Sequence, residues 1–195
     1  MAGDVAAAGL ALVVTTALWR MVWLWRRGVQ AMKFGSLDRS DFLITPLAVV
    51  FAYEVAASVF GWPRAGATLF WHSWANWLGA ILTFLGWILF AYSVVTLGSS
   101  FRVGIDTDQP GKLVTSGPFR ISRNPLYTGM AMVLIGIFLA LGDWVFMLFA
   151  LAGLWVMNRQ VLREEAAMEA IYGDAKAMPS SRDLVEFLQW CMEIR

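Results

Sequence analysis

Long apolar stretches, broken by short polar connections, recur along the chain. Crossing a hydrocarbon core takes about 20 mostly apolar residues, and five segments approach that length: 5–24, 42–61, 74–97, 126–141 and 144–157. The first carries Arg20 near its end, where a long side chain can snorkel to an interface. The second carries Glu54 near its middle. The third is uninterrupted by charge. The fourth and fifth are short and separated only by Gly142-Asp143, which reads as a helical hairpin of tilted or truncated spans. The pattern predicts an all-α polytopic membrane protein. It divides into helices 1–3 over residues 1–96, then a loop, helices 4 and 5 and a polar tail over 97–195.

Composition agrees with this reading. Of 195 residues, 59% are hydrophobic and 15% charged, against roughly 45–50% and about 25% in soluble domains. The formal net charge of +1 gives no field that would favour nucleic acid. The single Cys191 excludes an internal disulfide, and no His, Cys and carboxylate set has metal-ligand spacing. The polar segments therefore have to hold the function.

Lys and Arg fall on alternate connections. Arg26, Arg27, Lys33 and Arg39 follow the first span, and Arg102, Lys112, Arg120 and Arg123 follow the third; the tail adds Arg159, Arg163, Lys176, Arg182 and Arg195. The second connection has only Arg64 and the Gly142-Asp143 turn has none. By the positive-inside rule the N-terminus is expected outside and the C-terminus in the cytoplasm. No basic segment precedes the first apolar run, so it reads as a retained span and not a signal peptide. Trp62, Trp71, Trp74 and Trp77 at the outer side, and Trp19, Trp23 and Trp25 at the inner, occupy aromatic-belt positions. His72 lies among the outer tryptophans and reads as interfacial.

Two polar segments carry candidate chemistry. In the loop after span three, Arg123, Asn124, Pro125 and Tyr127 stand where the chain re-enters the membrane. Pro125 suits the first helical turn and Asn124 an N-cap, and such a helix start offers N–H groups to an anion. The tail contains Arg159, Arg163, Glu164, Glu165, Met168, Glu169 and Tyr172 in a helix-favouring sequence that continues span five, with Gly173 as a plausible end. Residues 183–194 have the pattern of a further amphipathic helix. Taken singly, the loop end also reads as a capped helix start and the tail as a solvated helical face. Glu54 reads either as a group on a substrate path or as a hydrogen-bond partner of Tyr92 or Ser93.

Together the two segments resemble the integral-membrane methyltransferases related to isoprenylcysteine carboxyl methyltransferase and the phospholipid N-methyltransferases. The first block of the resemblance is Leu113, Val114, Gly117, Pro118, Phe119, Arg123, Asn124, Pro125 and Tyr127. The second, beyond a two-helix hairpin, is Arg163, Glu164, Glu165, Met168, Tyr172 and Gly173. Leu97-Gly98 and Ser100-Phe101 resemble the entry to the family's cofactor loop. The resemblance implies S-adenosylmethionine bound at the cytoplasmic surface by Leu113, Gly117, Phe119, Arg123, Asn124, Pro125, Tyr127, Glu164 and Glu165. Arg159, Arg163 and Glu164 would then act on a lipophilic acceptor: an isoprenoid-like carboxylate, a phospholipid amine or a hydrophobic thiol. Asn124 departs from the His commoner in the family and cannot titrate near neutrality, and Lys176 and Pro179 replace tyrosines of the usual tail. These departures motivate the alternative of a non-catalytic helical subunit of a membrane complex. The expected partners are the membrane and a lipid or lipophilic small molecule.

Overall fold

The computed structural model describes residues 2–26, 44–98 and 114–172. Leu113, the loop 99–113, Gly173, Lys176, Pro179 and the amphipathic segment 183–194 lie outside the described residues. Five α-helices follow in order: α1 (Ala2–Trp25), α2 (Ile44–Phe60), α3 (Ser73–Leu97), α4 (Pro125–Leu141) and α5 (Trp144–Tyr172). A short 3-10 turn, Gly117–Arg120, precedes α4. The described residues contain no strand beyond one isolated bridge between Thr68 and Asp143.

Three helices are long and apolar enough to cross a membrane, and α2 and α4 are shorter apolar helices. Four of the five boundaries follow the hydropathy pattern closely. The fifth, as the helix-favouring tail sequence leads one to expect, does not stop near Met157: α5 runs unbroken for 29 residues, about 43 Å at 1.5 Å per residue. Ala, Leu, Met and Glu beyond Met157 sustain the helix where hydropathy falls away.

The helices pack through small residues, as expected where lipid removes the hydrophobic drive for association. Gly79 of α3 faces Gly136 of α4, and Gly86 faces Gly129; a Cβ on Gly86 would stand 2.7 Å from the Gly129 carbonyl oxygen, and one on Gly129 2.7 Å from the Gly86 carbonyl oxygen. Ala140, buried, lies against Gly79 in the same seam. The two backbones thus run antiparallel in direct contact. On α1, Gly3 abuts Ser58 of α2 and Gly9 abuts Thr83 of α3, while the Trp87 indole N–H donates to Thr16 Oγ1 at 3.2 Å. A core of Ala6, Phe51, Val55, Val133, Ile137, Leu141 and Phe146 joins α1, α2, α4 and α5. A second cluster joins Leu24, Phe90 and Val94 to Leu97, Leu126 and Met130 near the other end.

Connection 61–72 folds over the α4–α5 turn. Gly142, at φ 61°, closes α4 with a 2.7 Å bond to the Phe138 carbonyl. Its own carbonyl accepts from Leu69 N–H at 2.7 Å, and Trp144 N–H donates to Ala67 O at 3.3 Å. Asp143, 1% exposed, caps α5 by accepting Val145 N–H at 2.9 Å. Gly66 lets this carboxylate approach, since any Cβ there would collide with it. Glu54, 3% exposed, belongs to the same structure: its Oε1 accepts Ala65 N–H at 3.1 Å. The expected bond to Tyr92 or Ser93 is not formed, because Ser93 Oγ donates within its own helix to Leu89 O at 2.7 Å. A carboxylate in reach of an otherwise bare loop N–H finds a better partner there than in a hydroxyl already satisfied.

The belt tryptophans stand outward except Trp23, which is half-buried. Trp62, Trp71, Trp74, Trp77, Trp19 and Trp25 are all exposed, as anchors in a headgroup layer would be. Arg20 departs from the expectation. Its guanidinium lies 4.1 Å over the Trp23 ring and the residue is only 4% exposed, so it ends inside protein where a snorkelling side chain would end in water.

Candidate active site at the start of helix 4

The polar segments meet at the end of the bundle where α3 stops and α4 begins. Gly98 turns the chain out of α3 at φ 55°. After the undescribed loop, the chain returns at the 3-10 turn, where Pro118 and Phe119 are buried. Gly117, at φ 59°, lies against the last turn of α3; a Cβ there would stand 3.1 Å from both Thr96 Oγ1 and Tyr92 Oη. Pro125 then opens α4 and is itself buried. The missing N–H of Pro125 costs nothing at a position that has no intrahelical acceptor.

Asn124 holds the N-cap position, yet its side chain makes no capping bond. Its Nδ2 instead donates across the gap to Glu165 Oε1 at 3.2 Å. An amide has donors that an Asp or Ser cap lacks, and a carboxylate on α5 takes the donor. One turn into α4, the Tyr127 hydroxyl donates to Glu164 Oε1 at 2.7 Å. Gln160, a turn before Glu164, donates its Nε2 to the same oxygen at 3.0 Å. Two adjacent carboxylates on the overhanging part of α5 are thus fixed against the first turn of α4. Asn124, Tyr127 and Gln160 hold these carboxylates through neutral donors. They also face the positive end of the α4 dipole.

The structure brings together Asn124, Pro125, Tyr127, Glu164 and Glu165, with Gly117 and Phe119 packed beneath the same end of α3. Arg123 and Arg163 are half-buried nearby in the chain. Arg159 is not drawn in: it is exposed, and its guanidinium rests 5.0 Å from the Trp155 ring centre. The side chains of 167–172 lie outside the described residues, so Met168 and Tyr172 are not assigned a place. Gln160 joins the site although the sequence reading passed over it. Its signal was the i, i+4 spacing to Glu164, which puts the two on one helix face.

The helical bundle thus holds two carboxylates beside a helix start, chemistry that can take a ligand carrying positive charge. The sequence matches the family model of the phospholipid methyltransferases over residues 74–175. That stretch runs from the beginning of α3 through both sides of the polar junction, and the chain belongs to the phospholipid methyltransferase family. No curated protein and no solved structure matches it.

Proposed function

We infer that the protein transfers a methyl group from S-adenosylmethionine to the amine of a phospholipid at the cytoplasmic face of the membrane. The observation that carries this reading is the pair of carboxylates, Glu164 and Glu165, held against α4 by Tyr127, Gln160 and Asn124. The donor set fits the cofactor. Carboxylates suit a sulfonium and an ammonium, and the helix N-terminus with Arg123 suits a carboxylate. Gly117 and Phe119 supply apolar surface below. When bound, S-adenosylmethionine supplies an electrophilic methyl group whose carbon–sulfur bond breaks as the new bond to nitrogen forms.

The chain's own work is positioning and proton removal. A protonated amine has no lone pair to offer, so a base has to take its proton. Glu164 is the group placed for this. Tyr127 and Gln160 both bond its Oε1, which restrains the carboxylate and leaves Oε2 as the oxygen to take the proton. Glu165, pinned by Asn124, holds the cationic partner by charge. Asn124 itself cannot titrate near neutrality, so the proton passes to a carboxylate and not to the capping residue. The alternating basic connections support the cytoplasmic placement of this end.

Incubating the purified protein with methyl-labelled S-adenosylmethionine and vesicles containing a primary-amine phospholipid tests the reading. Label is expected in the lipid fraction and in the headgroup nitrogen. A folded sample that binds neither S-adenosylmethionine nor S-adenosylhomocysteine in calorimetry, across several lipid compositions, would overturn it.

A further inference from the structure

One face of α5 takes no part in the bundle. Leu148, Leu151, Trp155 and Leu162 are each half or more exposed, and Asn158 between them is exposed as well. Their spacing is three, four, three and four residues, the repeat that lays one line of a helix against a neighbouring helix. The opposite face packs on α4, where Gly153 meets Leu134 and Glu164 meets Tyr127. The exposed leucines and tryptophan are at ease in lipid. An amide is not, because hydrocarbon offers it no hydrogen bond.

The depth of Asn158 follows from its neighbours. Glu164 is level with Tyr127 and Gly153 with Leu134, so Asn158 stands beside the stretch of α4 between those two residues. The same stretch holds Gly129, Met132 and Val133, which pack on Gly86, and Gly86 is central in the 25 residues of α3. Asn158 therefore lies near the middle of a hydrocarbon core about 30 Å thick. Its side chain is too short to snorkel out as Lys or Arg would, and among the described residues its amide forms no hydrogen bond.

A carboxamide both donates and accepts, so two of them across a twofold axis satisfy each other. Copies inserted in the same orientation pair their α5 helices in parallel, which sets each seam residue beside its own counterpart. Arg159 does not oppose this. It lies outside the seam with its guanidinium over Trp155, and in a parallel pair its position faces that of Leu154, so the two arginines do not meet. We propose that α5 is the contact face of a homodimer, packed along Leu148, Leu151, Trp155, Asn158 and Leu162 and locked by hydrogen bonds between the two Asn158 amides. The contact stops at Leu162 and uses none of the residues gathered at the start of α4.

Crosslinking and stoichiometry in vesicles test this. In a Cys191→Ser background, which removes the one native cysteine, Leu148→Cys, Leu151→Cys and Leu162→Cys probe the seam. Val49→Cys and Ile81→Cys, also exposed apolar positions, serve as controls on α2 and α3. Oxidation at high lipid dilution is expected to link the three seam variants into dimers and to leave both controls monomeric on denaturing gels. Photobleaching of single fluorescent fusions in the same vesicles should show two steps. Asn158→Leu should weaken dimerisation about threefold to tenfold with helical circular dichroism unchanged, and Asn158→Gln, which keeps the amide, should weaken it less. A single bleaching step for the unsubstituted chain at every lipid dilution would overturn the proposal. Crosslinking at 49 or 81 as strong as on the seam would overturn it in favour of chance collision or another interface. A dimer that Asn158→Leu leaves as tight as before would refute the amide lock.

Discussion

The two ends of α4 are fastened by different means. At its C-terminal end the bonds are backbone bonds: Gly142 to Phe138, Leu69 to Gly142, and Trp144 to Ala67. Even the carboxylates there, Glu54 and Asp143, accept backbone N–H groups. At its N-terminal end the ties are between side chains, Asn124 to Glu165 and Tyr127 to Glu164. Backbone bonds satisfy groups that have nowhere else to go. Side-chain bonds can be exchanged for a ligand's. Two acidic pairs of residues thus differ in kind: one closes the molecule through backbone bonds, and the other, on the proposed function, meets the ligand.

Mutations can break the contrast between these ends, and the largest effect is expected in the seam that carries both. Gly129→Leu would drive its Cβ into backbone atoms of Gly86 and Phe90, and we expect no monodisperse folded protein in size-exclusion chromatography. Gly153→Ala, which meets only the flexible end of Leu134, should fold normally. Next comes Glu164→Gln, expected to slow methyl transfer by about 10²-fold or more while the unfolding temperature in detergent hardly moves. Tyr127→Phe removes one of two bonds to Glu164 and should lower kcat by about tenfold. At the other end, Asp143→Ala removes a buried cap and should cost about 1 kcal/mol of stability, read in thermal unfolding, with kcat intact. Loss of kcat there would erase the distinction between the ends. The smallest effect belongs to Arg159→Ala, an exposed residue on Trp155, which should change the rate by no more than about twofold.

Much of this architecture was legible in the sequence because membrane helices are specified by runs of apolar residues. The hairpin at Gly142-Asp143 and the continuation of α5 into the tail followed from turn chemistry and helix propensity. The partners of the polar residues did not. Asn124 was readable as a cap, but only the height of α5 beside it reveals that Glu165 competes for its amide. Glu54 looked central by its position in an apolar run, whereas the folding of 61–72 over the turn puts a loop N–H beside it. The glycines at 79, 86, 129 and 136 were present in two runs with equal spacing of seven. Their significance depends on which helices are neighbours, and hydropathy carries no information on that.

That seam has a kinetic consequence. Helices in backbone contact cannot slide or rotate past each other without carbonyl and amide groups colliding, so α3 and α4 move as one plate. On the function proposed above, each turnover nevertheless has to release a spent cofactor and a bulkier headgroup. With the turn at Gly142 clamped by connection 61–72, the part left to give way is the overhang of α5 beyond α4. The bonds at 124 and 127 are among those that hold it against α4, and a ligand that takes over either donor loosens that hold.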